Sequence, residues 1–188
     1  MRLVEGGYHV EMSPGPYRVV AAPKDRPPFA VGAVVAEEDT YLVLSAEPVV
    51  KEPHDSWDKV IKQVHELQPE APGSVLIREK HPLEILAVVH DLDREPTWKE
   101  EWIATALDGV FRGVAARKVR AVAIPLLGTT HGSLALERAA GLLREALKRG
   151  APKTLERIWL VAPAGSRYRD LQNVKSALEE WDIDGKNG

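Results

Sequence analysis

Apolar residues recur at helical spacing in four stretches of the chain. Trp57, Val60, Ile61, Val64 and Leu67 fall on one helical face between Asp55 and Leu67, and Pro69 closes that stretch. Trp98, Trp102, Ile103, Ala106, Leu107, Val110, Phe111 and Val114 predict a long helix from Thr97 to Ala116, with Thr97 and Glu100 as a capping box after Pro96. Leu136, Ala139, Ala140, Leu143 and Leu147 predict a third helix, with Ser133 as its N-cap and Gly150 and Pro152 as its stop. Tyr168, Leu171, Val174, Leu178 and Trp181 predict a fourth, with Ser166 near its start.

Short β-branched runs alternate with these helices. Glu84 to Val89 and Ala121 to Leu126 are apolar without alternation, as strands covered on both faces should be, and Val75 to Ile77 and Arg157 to Val161 complete the set. Nearer the N-terminus, Tyr8 to Val10 and Tyr17 to Ala22 sit among Gly6, Gly7, Pro14, Gly15, Pro16, Pro23, Pro27 and Pro28, which reads as edge strands or an arm. Val31 to Ala36 and Tyr41 to Leu44 read as strands joined by a turn at Glu37, Glu38 and Asp39. The order of elements from Asp55 onward implies crossovers, hence an α/β fold with a central mixed or parallel sheet and helices on both faces. The expected organisation is a strand-rich arm over residues 1–30, one three-layer α/β/α domain over 31–183, and a disordered tail over 184–188. There is no internal repeat and no low-complexity tract.

Composition narrows the chemistry. The 188 residues favour one domain, and a net charge of -3 with both signs scattered gives no field for nucleic acid or anionic membrane. Nucleic acid is therefore not the expected partner. The absence of cysteine excludes disulfides, thiolate metal sites and a cysteine nucleophile. No apolar run resembles a signal peptide or a membrane span, so the expected location is the cytoplasm. Scarce asparagine and methionine with plentiful proline, arginine and glutamate fit a heat-tolerant source. The tryptophans at 57, 98, 102, 159 and 181 all fall on faces predicted to be core.

One segment carries candidate chemistry. Ala123 to Ser133 takes a buried strand into a loop with Gly128 and Gly132 and then into a helix, the arrangement in which backbone N–H groups converge on an anion. An ordinary strand-to-helix turn is the competing reading. His90, Asp91 and Asp93 at a strand end, with His131 in the loop, are ligand types that a divalent ion accepts, but no spacing among them is diagnostic and no metal is expected. His54, His65 and His81 have no partner nearby in sequence, and the cluster Arg112, Arg117, Lys118 and Arg120 reads as a solvated helix end. Mononucleotide P-loop, dinucleotide, serine-hydrolase and zinc-protease motifs are absent, so no catalytic residue is assigned and no cofactor is expected.

The run Pro125-Leu126-Leu127-Gly128-Thr129-Thr130-His131-Gly132-Ser133-Leu134, followed by an alanine-rich helix, resembles the phosphate loop of macro domains. Leu86-Ala87-Val88-Val89-His90 is similar to the strand that precedes the family's long helix, and the resemblance covers roughly residues 73 to 180. It implies a macro-like fold that binds ADP-ribose or a related nucleoside diphosphate through Gly128, Thr129, Thr130, His131, Gly132 and Ser133, with Ser45, Glu47, His90 and Asp91 as additional contacts. The first half departs from the family. With Tyr41 to Leu44 taken as the early strand, residues 45–50 supply no asparagine and no glycine, Glu47 brings negative charge, and Asp39 has no assignable register as the adenine-reading aspartate. Thr130 stands where the loop's second glycine belongs. Two alternatives accompany the binding reading: a macro-like scaffold that has lost its ligand, with a homo-oligomer among its partners, and an ADP-ribosyl hydrolase.

Overall fold

The computed structural model describes residues 9–44, 69–150 and 152–180. In chain order these contain β1 (Val10–Met12), β2 (Arg18–Pro23), β3 (Ala33–Asp39), β4 (Val75–Arg78), β5 (Leu83–His90), α1 (Glu100–Ala116), β6 (Ala121–Pro125), α2 (Leu136–Gly150), β7 (Arg157–Ala162) and α3 (Tyr168–Glu179). One seven-stranded sheet runs β1-β2-β7-β6-β3-β5-β4. The strands from β2 to β5 in that order are parallel, and β1 and β4 join antiparallel at the two edges. The unbroken apolar runs thus lie in interior strands β5, β6 and β7, where both faces are covered.

Helix α1 buries Ile103, Leu107, Val110, Phe111 and Val114 against the sheet. Its start differs from the expected capping box, since Lys99 is the N-cap and offers no side-chain hydrogen bond. The Thr97 hydroxyl turns instead to His90 Nδ1 at 3.3 Å. A lost cap costs about 1 kcal/mol, whereas each large buried apolar side chain contributes about 2 kcal/mol, so the stripe holds the helix without it. Ser133 likewise does not cap α2. Leu134 donates its N–H to the Gly128 carbonyl at 3.2 Å, which keeps the chain in the loop until the Ala135 carbonyl accepts the first helical bond from Ala139.

The three helices α1, α2 and α3 pack in a row, α1 on β5 and α3 on β1, over one face of the sheet. Ala22, Ala123 and Trp159 form a smaller core on the opposite face, where Phe29, Val31, Val34 and Val161 pack against them. Trp159 is buried and donates its indole N–H to the Ala22 carbonyl at 3.0 Å, while Trp98 and Trp102 are half-buried. The helix expected over 55–67, the tail over 184–188, Trp57 and Trp181 lie outside the described residues.

The largest departure is at the end of β3. Glu37, Glu38 and Asp39 are not a turn. They continue the strand, pair with β5, and are only 8%, 0% and 0% exposed. Tyr41 to Leu44, read as a strand, is the turn, with Leu42 in the left-handed region at φ 59°. The backbone N–H groups of Tyr41, Val43 and Leu44 donate to Asp39 at 2.7, 2.9 and 2.9 Å, and Leu44 also reaches Glu38 at 2.8 Å. Buried carboxylates persist only with such donors, and the turn supplies them.

Candidate functional site

The chain leaves β3 towards β5 on one side, then crosses through α1 to β6 on the other side and moves on to β7. The carboxyl ends of β3 and β6 are therefore the point where the winding reverses, the position at which open α/β sheets form a ligand crevice. Residues Glu37 to Thr40, His90, and the loop from Leu126 to Ala135 meet there.

Glu37 and His90 form the floor. His90 Nε2 lies 2.5 Å from Glu37 Oε1, both side chains being almost fully enclosed. The carboxylate can only accept, which places a hydrogen on Nε2 and leaves Nδ1 facing the Thr97 hydroxyl. The pairing depends on an irregularity in β5. Glu38 pairs with Val88 but Asp39 pairs with His90, so Val89 is an extra residue that re-aims the imidazole. The second Glu37 oxygen accepts the Gly128 N–H at 3.0 Å. A carboxylate thus occupies the first amide of the glycine loop.

Beyond that amide the loop makes few bonds to the described residues. Gly128 has φ 82°, which favours glycine, and a side chain there would come within 2.6 Å of Ile103 Cδ1, so the buried end of Ile103 would have to shift. Thr129 turns inwards, its hydroxyl donating to the Leu126 carbonyl at 2.7 Å and its N–H to the same oxygen at 3.3 Å. The next four N–H groups, from Thr130 to Ser133, have no acceptor among the described residues. Thr130, His131 and Ser133 are exposed. Gly132 lies so close to Trp98 that an added Cβ would sit 2.6 Å from the indole Cδ1 and 2.5 Å from the Gly128 carbonyl oxygen.

The flanking residues divide into those at the crevice and those consumed by structure. His131 stacks edge-on to His90 with ring centres 6.1 Å apart. Asp91 is half-buried and pairs with Arg94 at 2.7 Å. Tyr41 donates its hydroxyl to Asp93 Oδ2 at 2.5 Å, and that bond, with the charge of Asp93, raises the phenol above its ordinary value. Both Asp39 oxygens accept backbone N–H groups of the following turn, one at Oδ1 and two at Oδ2, and the side chain is enclosed. Ser45 and Glu47 lie outside the described residues. Among the described residues no three histidine, aspartate or glutamate side chains group as a metal would require. Sequence reasoning missed Glu37 and Thr97. The available signal for Glu37 was its position directly after an apolar β run, where a strand end and a turn look alike.

No family model matches the sequence, and no curated protein matches it either. Solved structures do. The Oceanobacillus iheyensis macrodomain with ADP is 14% identical, with a TM-score of 0.63 over 96% of this chain and 100% of that one. The macro domain of ganglioside induced differentiation associated protein 2 gives a TM-score of 0.57 at 14% identity, over 87% of this chain and 85% of that one. The macrodomain of Thermus aquaticus DarG gives 0.50 at 18% identity, over 72% of this chain and 92% of that one. At this level of identity the likeness is one of architecture, and it extends over nearly the whole chain: this protein has the macro domain fold.

Proposed function

We propose that the protein binds ADP-ribose or a related nucleoside diphosphate at the crevice between β3 and β6, with the phosphoryl groups received by the loop from Gly128 to Ser133. The observation that carries this reading is the run of N–H groups from Thr130 to Ser133, which lack acceptors among the described residues and lead towards the start of α2. Several unpaired amides pointing at one place hold an anion without a dedicated lysine. Thr130 and Ser133 add exposed hydroxyl donors. The macrodomain from Oceanobacillus iheyensis has been solved both with ADP and, as a mutant, with ADPR, which agrees with a ligand of this class.

A second reading rests on Glu37. Its carboxylate already fills the Gly128 amide and places negative charge beneath the loop, which favours a scaffold that has given up its anionic ligand. The hydrolase reading ranks below both, because residues 45–50 offer neither asparagine nor glycine to hold an attacking water.

Calorimetry with ADP-ribose, ADP and inorganic phosphate separates the first two. Ser133→Glu is the suitable variant, since Ser133 is exposed and the change adds charge at the loop, whereas any side chain at Gly132 would collide with Trp98. Binding by the wild type that is lost in Ser133→Glu supports the ligand reading. No binding by either protein leaves the scaffold.

A further inference from the structure

A second feature lies on the sheet face opposite the helices. Arg18 of β2 and Arg157 of β7 are Cα partners on adjacent parallel strands. By strand alternation both share the face that carries Ala22 and Trp159. Side chains directly opposite on neighbouring strands stand about 5 Å apart, and like charges so placed repel. Of the two, only Arg18 has a carboxylate partner among the described residues. Glu11 on the edge strand accepts from Arg18 Nε at 2.7 Å, whereas Arg157 lies over the ring of Phe29, 5.0 Å from its centre, and has no carboxylate partner among the described residues. The two arginines, His9, Glu11, Pro28 and Phe29 border, with Val20, a depression of about 330 Å³, so the site holds two guanidinium groups against one carboxylate.

We infer that this depression is a second binding site, for a small phosphate ester whose phosphoryl group sits between Arg18 and Arg157 and whose apolar body rests on Val20, Pro28 and Phe29. A phosphoryl group carries close to two negative charges and three acceptor oxygens, matching the two positive charges of a guanidinium pair, whereas a carboxylate brings one charge and two oxygens. Glu11 shows the carboxylate case, holding Arg18 through Nε. The cavity exceeds the needs of a bare phosphate ion and falls at the small end of ligand pockets, roughly 300 to 1,000 Å³. Its two cationic residues stand directly opposite each other on the adjacent strands β2 and β7, whose pairing fixes the spacing of their backbones beneath the phosphoryl seat. It lies at the amino ends of β2 and β7, whereas the glycine loop follows the carboxyl end of β6.

The test uses phenyl phosphate, inorganic phosphate and benzoate as probes, with Ser133→Glu as the background so that the glycine loop does not contribute. Calorimetry is expected to show phenyl phosphate binding more tightly than either other probe. Arg157→Gln and Arg18→Gln are each expected to weaken it about tenfold or more. In nuclear magnetic resonance titrations, the Nε–H signals of Arg18 and Arg157 are expected to shift with phenyl phosphate, a readout that needs neither arginine variant to fold. Absence of binding at millimolar phenyl phosphate, unchanged affinity in both arginine variants, or benzoate binding as tightly as phenyl phosphate would each overturn the proposal.

Discussion

Glu37 accepts the backbone N–H of Gly128 at 3.0 Å, joining the end of β3 to the loop after β6 across 91 positions of sequence. Its other oxygen meets His90, so one side chain ties together three of the segments that form the crevice. This is both a structural clamp and a charge beneath the amides that would receive a phosphoryl group. The two roles are separable by mutation.

His90→Ala leaves an enclosed carboxylate without its partner and opens a cavity, and is expected to cost about 3 kcal/mol in urea unfolding. Glu37→Gln keeps an acceptor for Gly128 while removing the charge. It is expected to cost less than His90→Ala and to tighten ADP binding several-fold by calorimetry. Equal or weaker ADP binding in Glu37→Gln would show that the carboxylate does not oppose the ligand.

Hydrogen exchange should divide the glycine loop in two. The Gly128 amide, held by an enclosed carboxylate, is expected to exchange slowly, and the amides from Thr130 to Ser133 quickly. ADP-ribose should slow the second group and leave the first unchanged. Uniform exchange from 128 to 133 would contradict the division.

Gly128→Ala combines an unfavourable φ of 82° with a Cβ within 2.6 Å of Ile103 Cδ1. The expected loss is about 2 kcal/mol in thermal or urea unfolding. A variant as stable as wild type would mean that the loop has a second conformation free of this contact.

Glu100, in the first turn of α1, takes two bonds from the Arg138 guanidinium at 2.8 and 2.6 Å, and this partner holds its carboxyl below the ordinary value. A depressed value means stability that is present above the unfolded carboxylate range and lost as pH falls through the folded one. Both side chains are more than 40% exposed, so solvent and salt reduce the effect. Glu100→Gln is expected to be less stable than wild type by about 0.5 kcal/mol near neutral pH, with the difference vanishing below the carboxylate range. A difference that persists in strong acid would assign it to packing.

The sequence was most legible where a single rule governed a segment. The apolar runs at 84–89 and 121–126 mark interior strands because a parallel sheet is covered on both faces, and the stripe from Trp98 to Val114 marks α1 because one face must be buried. It failed at Glu37 to Leu44, where local composition and tertiary demand point in opposite directions. Three consecutive carboxylates ordinarily mean solvent, yet they are enclosed because the next turn donates its amides to Glu38 and Asp39 while His90 and the Gly128 amide meet Glu37. The apolar Tyr41 to Leu44 ordinarily means strand, yet Leu42 takes a left-handed angle to make that turn. The glycine loop was visible from its own residues. The carboxylate beneath it was not, since its partners lie 53 and 91 positions away.

That separation also governs when the crevice can exist. A chain that has emerged only as far as α1 contains Glu37, His90 and Thr97 but not the amide that Glu37 accepts. Until β6 inserts beside β3, closing a long loop against chain entropy, the imidazole–carboxylate couple has no lid. Assembly of the crevice is therefore tied to the insertion of β6 beside β3, and a fragment ending before β6 would contain Glu37 and His90 without the Gly128 amide that joins them to the loop.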